Sequence, residues 1–375
     1  MFTGKYLQSN KIRHVMLNSD YTLFTPGPTQ VPAQVLRAIA TPPMHHRSDE
    51  FRMIFKQTSE KLRYVFQTNQ PVIILTCSGT GALESTVVNL FSPGETVLVV
   101  NNGRFSDRWI QMIRTFGIDV REIKFAWGKS PTCALLRDVL LATSDVKGVY
   151  LTHCETSTGA FTNVGTLAAV IHENSDALVC VDGVSSIGAI EFYFDKWEID
   201  AAITASQKAL MCPPGLACVA LSDRAISKLK TSSQPKFYFD LNEALLSLDM
   251  GTTPWTPSVS LIAGLFTATE MIRDEGISDV WKRHQKIGSV VRNKIEGAGF
   301  KIFPECPCDS VTVASFPPDL RPEIFLNNLK TKKGMILGRG QGEYKNKLIR
   351  VGHMGWYSEE DINLLFDAIK EITSE

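Results

Sequence analysis

Short apolar runs alternate along the first two-thirds of the chain with segments whose apolar residues recur at helical spacing. Each run holds about four to six nearly uninterrupted apolar residues, which is typical of strands buried on both faces of a parallel sheet. We predict strands at 72–76, 96–101, 119–123, 148–152, 177–181, 201–205 and 216–221. We predict helices between or before them at 32–40, 48–66, 81–90, 105–116 and 166–174. The alternation predicts an α/β fold whose large domain holds a mostly parallel seven-stranded sheet flanked by helices.

The pattern changes after residue 255. Two long helical segments, 259–275 and 280–297, are followed by a shorter series of alternating elements, with strands at 311–315 and 348–351 and helices at 322–330 and 358–373. This series predicts a smaller C-terminal α+β domain. Gly251, Pro254 and Pro257 interrupt regular structure at the junction. We therefore divide the chain into an N-terminal arm (1–23), a large domain (24–255) and a small domain (256–375).

Composition supports two domains and excludes some classes of partner. The 375 residues exceed what one hydrophobic core usually serves. Apolar residues make up 44%, charged residues 21%, and the formal net charge is zero, so no nucleic-acid or membrane partner is expected. No segment resembles a signal peptide or a membrane span, so we expect a cytoplasmic protein. The eight cysteines are scattered, which indicates reduced thiols, and no metal site is expected.

Two predicted strands end in residues that suit catalysis. The strand at 177–181 is followed by Asp182, and the strand at 201–205 is followed by Ser206, Gln207 and Lys208. An aspartate at that place often only caps a turn, and most lysines lie in solvated loops. A lysine directly after a buried strand is instead partly desolvated, which lowers its pKa and makes its amine a nucleophile for carbonyl groups.

Three other features suit the binding of a planar, anionic ligand. Ser78, Gly79 and Thr80 form a turn of small residues before a helix, where backbone N–H groups can bind an anion. Phe105 follows another strand and either stacks on a planar ligand or packs in the core. Arg350 lies inside a short apolar strand and either binds a carboxylate or forms a surface ion pair.

Together these residue types are the parts of one pyridoxal-phosphate (PLP) site. PLP needs a lysine for its Schiff base and an acid beside its pyridine nitrogen. Its phosphate needs a set of N–H donors, and its ring needs a stacking partner. Each feature is weak evidence alone, but the combination predicts a PLP enzyme whose cofactor forms a Schiff base with Lys208.

The residues that carry these features resemble a known family. The segments Val181–Ser186 and Ser206–Ala209, the latter followed by Pro213-Pro214-Gly215, resemble the class V aminotransferases of PLP fold type I. The similarity is to the alanine/serine–glyoxylate and serine–pyruvate group, and it extends from Thr25-Pro26-Gly27-Pro28 to Gly355. It implies PLP as cofactor, a homodimer with shared active sites, and amino acid and 2-oxo acid substrates.

The resemblance also implies roles for residues that bind the cofactor. Lys208 would form the Schiff base and transfer protons, and Asp182 would keep the pyridine nitrogen protonated. Phe105 would stack on the ring, and Ser157 would contact its hydroxyl side. The phosphate would be bound by Ser78, Gly79, Thr80 and Gln207.

Three further roles follow from the same resemblance. Thr256 would reach the phosphate in the neighbouring subunit. Arg350 would bind the substrate carboxylate, and Gly27 would line the substrate pocket. The implied reaction is transamination between a small α-amino acid, such as alanine or serine, and glyoxylate or pyruvate.

The sequence leaves several alternatives open. A lyase of the cysteine-desulfurase or kynureninase type would need a reactive loop cysteine, and only Cys306 and Cys308 suit that role. Because Thr253 stands where similar enzymes often have a larger aromatic residue, a phosphonate amine and pyridoxamine are alternative donors. His45-His46-Arg47 either adds an anion contact or leads into a helix. A non-catalytic subunit that kept the fold is the last alternative.

Overall fold

The computed structural model describes residues 21–374, and its strands form a seven-stranded, a five-stranded and a two-stranded sheet. The helices are α1 (Ala33–Ile39), α2 (Asp49–Phe66), α3 (Gly79–Leu90), α4 (Arg104–Thr115), α5 (Cys133–Ala142), α6 (Val164–Asn174), α7 (Asp223–Leu229), α8 (Leu241–Asp249), α9 (Val259–Glu275), α10 (Ile277–Gly297), α11 (Pro322–Lys333) and α12 (Glu359–Ser374). The strands are β1 (Thr22–Phe24), β2 (Val72–Leu75), β3 (Thr96–Asn101), β4 (Asp119–Lys124), β5 (Val146–Thr152), β6 (Cys154–Glu155), β7 (Ala160–Phe161), β8 (Leu178–Asp182), β9 (Ala201–Ala205), β10 (Ala217–Leu221), β11 (Lys301–Ile302), β12 (Val311–Ser315), β13 (Met335–Arg339) and β14 (Leu348–Gly352).

The large sheet has seven strands in the order β2-β10-β9-β8-β5-β3-β4. Each of the seven predicted strands is present, with ends within two residues of the prediction. Strand β10 is antiparallel to both of its neighbours, β2 and β9, and the other pairings in the sheet are parallel. The predicted α/β fold with a mostly parallel seven-stranded sheet is therefore confirmed.

Both faces of this sheet are buried, as the continuous apolar runs predicted. In β2, Val72 and Ile74 contact one hydrophobic cluster, whereas Ile73 and Leu75 contact another. The two clusters lie on opposite faces because successive side chains of a strand point in opposite directions. Full burial of such an apolar side chain contributes roughly 1.5–3 kcal/mol to the free energy of folding, so apolar residues are favoured over polar ones inside the sheet. Polar side chains are instead found beyond the strand ends.

The helix that spans residues 49–66 forms where its local sequence favours it. The Oγ atom of Ser48 accepts a hydrogen bond of 3.3 Å from the N–H of Phe51, which satisfies a first-turn donor. Asp49 and Glu50 lie in that first turn, where the helix dipole favours negative charge. The same helix packs against α9, and α9 also packs against α1.

The second sheet has five strands in the order β1-β13-β14-β12-β11. Its first strand comes from near the N-terminus: β1 pairs in parallel with β13, and Leu23 lies opposite Ile336. Residues 22 and 23, predicted to belong to an arm, thus lie in a strand, and neither strand of this pair was predicted. Residues 1–20 of that arm lie outside the described residues. The chain thus begins its described part in the small sheet and enters the large sheet only at β2.

The proposed domain boundaries stay a prediction. Helix α9, which we assigned to the small domain, buries Ile262, Leu265 and Ile272 in a core that it shares with the large sheet. Helices α5, α7 and α8 were not predicted. In residues 21–374 no helix is both long and apolar enough to cross a membrane. None of the eight cysteines, all within the described residues, forms a disulfide.

Candidate active site

A cavity of about 220 Å³ lies beyond the carboxyl ends of the parallel strands. Strands β2, β3, β5, β8 and β9 all lead into loops or helix starts that line it, which is where open α/β sheets bind ligands. The structure brings eight of the sequence-predicted residues together in its wall. These are Gly27, Ser78, Gly79, Thr80, Phe105, Asp182, Gln207 and Lys208.

Lys208 lies in the turn that follows β9, and its amine points toward the chain segment that precedes α1. The Nζ atom donates a hydrogen bond to the backbone oxygen of Pro26. Burial, and to a smaller extent the positive charge of Arg350, lowers the pKa of Lys208 to about 8. A larger fraction of the amine is therefore neutral near physiological pH than for an ordinary lysine, as a nucleophilic lysine requires.

Asp182 is the last residue of β8 and is only 5% exposed. Its Oδ1 atom accepts a hydrogen bond of 2.9 Å from the N–H of Val184. Burial raises the pKa of Asp182 to about 6, and the nearby carboxylate of Glu155 also raises it. A carboxylate in this environment gains from a positive partner, such as a protonated ring nitrogen.

The first turn of α3 offers backbone donors to the cavity. The N–H groups of Gly81 and Ala82 bond to the oxygen of Ser78, whereas those of Gly79 and Thr80 precede the first helical hydrogen bond. The Ser78 side chain makes no capping bond to this turn. The turn therefore has donors available for an anion at the helix N-terminus.

Phe105 is held at the start of α4 by a buried carboxylate. Glu155 accepts hydrogen bonds from the backbone N–H groups of Phe105 (3.0 Å) and Ser106 (3.1 Å). Its second oxygen accepts from the N–H (3.1 Å) and the hydroxyl (2.6 Å) of Ser157. Burial raises the pKa of Glu155, but these donors oppose that shift. The side chain thus ties β6 to the helix that carries the cavity aromatic.

Three predicted residues are not among those that line the cavity. The hydroxyl of Ser157 is bonded to Glu155 and accepts from the N–H of Arg104. The guanidinium of Arg350 donates to the backbone oxygens of Arg339 (2.6 Å) and Thr156 (3.4 Å), and Thr156 itself lines the cavity. Thr256 is exposed on the surface. Their proposed roles in binding stay predictions.

The segments that we singled out for specificity lie outside the cavity wall. Thr253 donates a hydrogen bond of 2.6 Å to the oxygen of Trp255. His45 and Arg47 are exposed in the turn that precedes α2. Cys306 is exposed, and Cys308 is buried without reaching the cavity wall.

Sequence reasoning missed several residues that the tertiary structure brings to the site. Arg108 lines the cavity and donates a hydrogen bond of 2.9 Å to the Oγ1 atom of Thr80. Cys154 and Thr156 also line it. Arg108 lies three residues after Phe105, so helical periodicity could have placed the two on one face. Glu155 follows a buried strand, which was the signal used for Asp182.

The lining residues fit PLP. The Oε1 atom of Gln207 is buried and has no hydrogen-bond partner among the described residues, although the side chain lies at the cavity. An unbonded polar atom beside free N–H donors indicates a polar ligand at this place. Toward a phosphate, Gln207 would turn its NH2 group, because its amide oxygen can only accept a hydrogen bond. Asp182 would face a protonated ring nitrogen, and Lys208 supplies the amine that PLP requires. No group of three or more possible metal ligands occurs among residues 21–374.

The overall architecture is that of the PLP fold type I aminotransferases. The alanine–glyoxylate aminotransferase of Nostoc sp. superposes with a TM-score of 0.89 at 31% identity, which covers 94% of this chain and 95% of that one. The family model of class V aminotransferases matches residues 21–334. The chain belongs to the class V aminotransferase family, as the resemblance predicted.

Curated relatives match over most of the chain. The L-aspartate–glyoxylate aminotransferase of Paracoccus denitrificans is 34% identical over 346 residues, covering 90% of this chain and 87% of the relative. The soluble hydrogenase 42 kDa subunit of Anabaena cylindrica is also 34% identical, covering 91% of this chain and 90% of the relative. The aminotransferase relatives support transamination and do not favour the lyase or non-catalytic alternatives.

Proposed function

We propose that this protein is a PLP-dependent aminotransferase that moves the amino group of a small α-amino acid to glyoxylate or pyruvate. The observation that carries the proposal is the meeting of Lys208 and Asp182 in one cavity beside the first turn of α3. The names of the Paracoccus and Nostoc relatives support glyoxylate as an acceptor. The hydrogenase name of the Anabaena relative gives no support to a particular amino donor.

PLP bound in this cavity would supply an electron sink for the charge left when an α-proton is removed. Lys208 would hold the cofactor, and its amine, with a pKa of about 8, suits the uptake and return of that proton near neutral pH. Asp182, ionised above pH 6, would keep positive charge on the ring nitrogen. Gln207, Ser78, Gly79 and Thr80 would bind the phosphate.

The substrate end of the site is small and lies near a basic side chain. A cavity of about 220 Å³ leaves little room beside a cofactor, which favours small donors. Arg350 would bind the substrate carboxylate and so orient the bond to the α-proton. Ser157 would contact the hydroxyl side of the ring, and its bond to Glu155 would hold it there. Gly27 would leave space for the substrate near Lys208.

Two measurements test the proposal. Purified protein should show the visible absorbance of lysine-bound PLP, and borohydride reduction followed by peptide mass spectrometry should place the cofactor on Lys208. A screen of alanine, serine, aspartate, a phosphonate amine and pyridoxamine against glyoxylate and pyruvate should give turnover with small α-amino acids. Turnover restricted to donors that lack an α-carboxylate would contradict the substrate class. Protein that neither contains nor binds PLP would contradict the reaction.

We also propose a homodimer in which Thr256 completes the partner subunit's phosphate site. Thr256 is exposed and lies beside an exposed aromatic surface, where Phe237 is 75% exposed and stacks on Trp255 with ring centroids 4.7 Å apart. Exposed aromatic side chains of this kind are typical of interfaces.

Mixed dimers test this arrangement. Lys208→Ala and Thr256→Val each impair every site in a homodimer, whereas a hybrid of the two variants has one site with both residues intact. Refolding the inactive Lys208→Ala protein with the Thr256→Val protein should raise activity above that of either alone. A lack of any gain, or a fully active monomer in sedimentation, would contradict shared sites.

A further inference from the structure

Arg108 is a cation in the cavity wall that the reaction, as described so far, does not use. It lies one helical turn after Phe105 on α4, and its guanidinium carbon is 5.0 Å from the centroid of that ring. Its Nη1 atom donates to the Oγ1 atom of Thr80 at 2.9 Å. The guanidinium is therefore fixed between the aromatic side chain and the first turn of α3.

Most N–H donors of this guanidinium remain available for another acceptor. A guanidinium carries five N–H donors, and one bond to a hydroxyl leaves most of them for another acceptor. Among residues 21–374, no ion pair joins Arg108 to a carboxylate. A partly buried cation without an acidic partner gains most from an anion that enters the cavity, and planar guanidinium groups bind phosphate with two parallel bonds.

The position of Thr80, to which Arg108 is bonded, indicates which anion Arg108 would bind. Thr80 is the second residue of α3, so Arg108 is bonded to the same helix turn whose N–H groups are available to an anion, and Gln207 lines the cavity as well. Arg350, which we propose binds the substrate carboxylate, is bonded to the backbone oxygen of Thr156 and not to this helix turn. We propose that Arg108 binds the phosphate of PLP as the positively charged member of its site, an inference that rests on the proposed function.

A residue that binds the phosphate should affect the binding of PLP but not that of pyridoxal, which lacks the phosphate. The experiment therefore compares these two compounds. Apoprotein is prepared for the wild type and for Arg108→Met, and dissociation constants for both compounds are measured by fluorescence quenching. We expect PLP to bind Arg108→Met about 10- to 100-fold more weakly, as for loss of a charged hydrogen bond, and pyridoxal to bind with unchanged affinity. Arg108→Lys should lose less.

Arg114→Met is the matched control. Arg114 lies on the same helix but is exposed, so its removal changes the net charge equally without touching the cavity. It should leave both dissociation constants unchanged. Inorganic phosphate provides a second readout that needs no cofactor: it should raise the melting temperature of wild-type apoprotein and of Arg114→Met, but not of Arg108→Met.

The other outcomes overturn the proposal in distinguishable ways. Equal weakening of PLP and pyridoxal would mean that Arg108 only positions Phe105 or Thr80. Unchanged PLP affinity with a raised KM for aspartate would assign Arg108 to a substrate carboxylate. If wild-type apoprotein itself fails to bind PLP, the proposed function is wrong. If the wild type binds PLP and Arg108→Met binds it with the same dissociation constant, only this inference is wrong.

Discussion

A Cβ atom placed on Gly27 would lie 2.5 Å from the Nζ atom of Lys208. The two residues therefore share one space, and the lysine can occupy its place only because residue 27 has no side chain. Gly27 also has a φ of 141°, a backbone conformation that L-residues with side chains rarely adopt.

We expect Gly27→Ala to push the amine of Lys208 out of position and to lower kcat by about tenfold or more, since small displacements of reacting groups are costly. Backbone strain would add a loss of stability of about 1–3 kcal/mol. Gly94→Ala is the control, because Gly94 also has a positive φ of 80° but has no atom within 4 Å of the point where a Cβ would lie. Equal kinetic effects of both variants would contradict a specific clash.

The lowered pKa of Lys208 predicts the pH dependence of cofactor attachment. Only the neutral amine attacks a carbonyl, so the rate at which apoprotein takes up PLP should rise by about tenfold per pH unit below the pKa and level off above it. The midpoint should lie near pH 8. Stopped-flow absorbance measures this rate, and a midpoint near the ordinary lysine value would contradict the effect of burial.

Arg350 contributes to that midpoint through its positive charge. Arg350→Met should therefore move the midpoint of PLP uptake to higher pH. Arg339→Met removes an exposed charge from the neighbouring strand β13 and should leave the midpoint in place. A midpoint that stays fixed in Arg350→Met would show that the charge of Arg350 does not help to lower the pKa of Lys208.

Asp182 is predicted to reduce the stability of the apoprotein. Because its folded-state pKa is raised to about 6, the folded state binds more protons than the unfolded state, and stability falls as the pH rises from the ordinary aspartate pKa to about 6. Asp182→Asn removes this cost, which corresponds to at most about 3 kcal/mol.

Urea unfolding of the two apoproteins checks this sign. Asp182→Asn should be more stable than the wild type at pH 8 and nearly equal to it at pH 4, while losing most transaminase activity. A variant that is less stable at pH 8 would contradict the destabilising effect of the buried carboxylate.

Glu155 is predicted to stabilise the start of α4. Replacement by alanine would leave the N–H groups of Phe105, Ser106 and Ser157 without their acceptor, at a cost of about 2–4 kcal/mol in the free energy of unfolding. The exposed Glu305, which pairs with Lys129 on the surface, is the control, and Glu305→Ala should cost less than about 1 kcal/mol. Similar losses for both variants would contradict the capping role.

The strands of the large sheet could be predicted because burial on both faces imposes a local pattern. Ala201–Ala205 and Thr96–Asn101 are apolar at nearly every position, and turn residues follow them. Strand β13 could not be predicted in the same way. Met335–Arg339 is short and half-buried, and its neighbour β1 lies about 300 residues earlier in the sequence, where no local signal indicates the pairing.

The sequence by itself determined the family, the α/β fold and the residues at the ends of the strands, including Lys208 and Asp182, because each lies at or just beyond the end of a buried strand that hydrophobicity specifies locally. Only the tertiary structure decided which side chains share the cavity. Arg108 reaches Thr80 across 28 positions, and Glu155 reaches Phe105 across 50. Such contacts depend on how α3, α4 and β6 pack around one sheet edge, and that packing leaves no periodic trace in the chain.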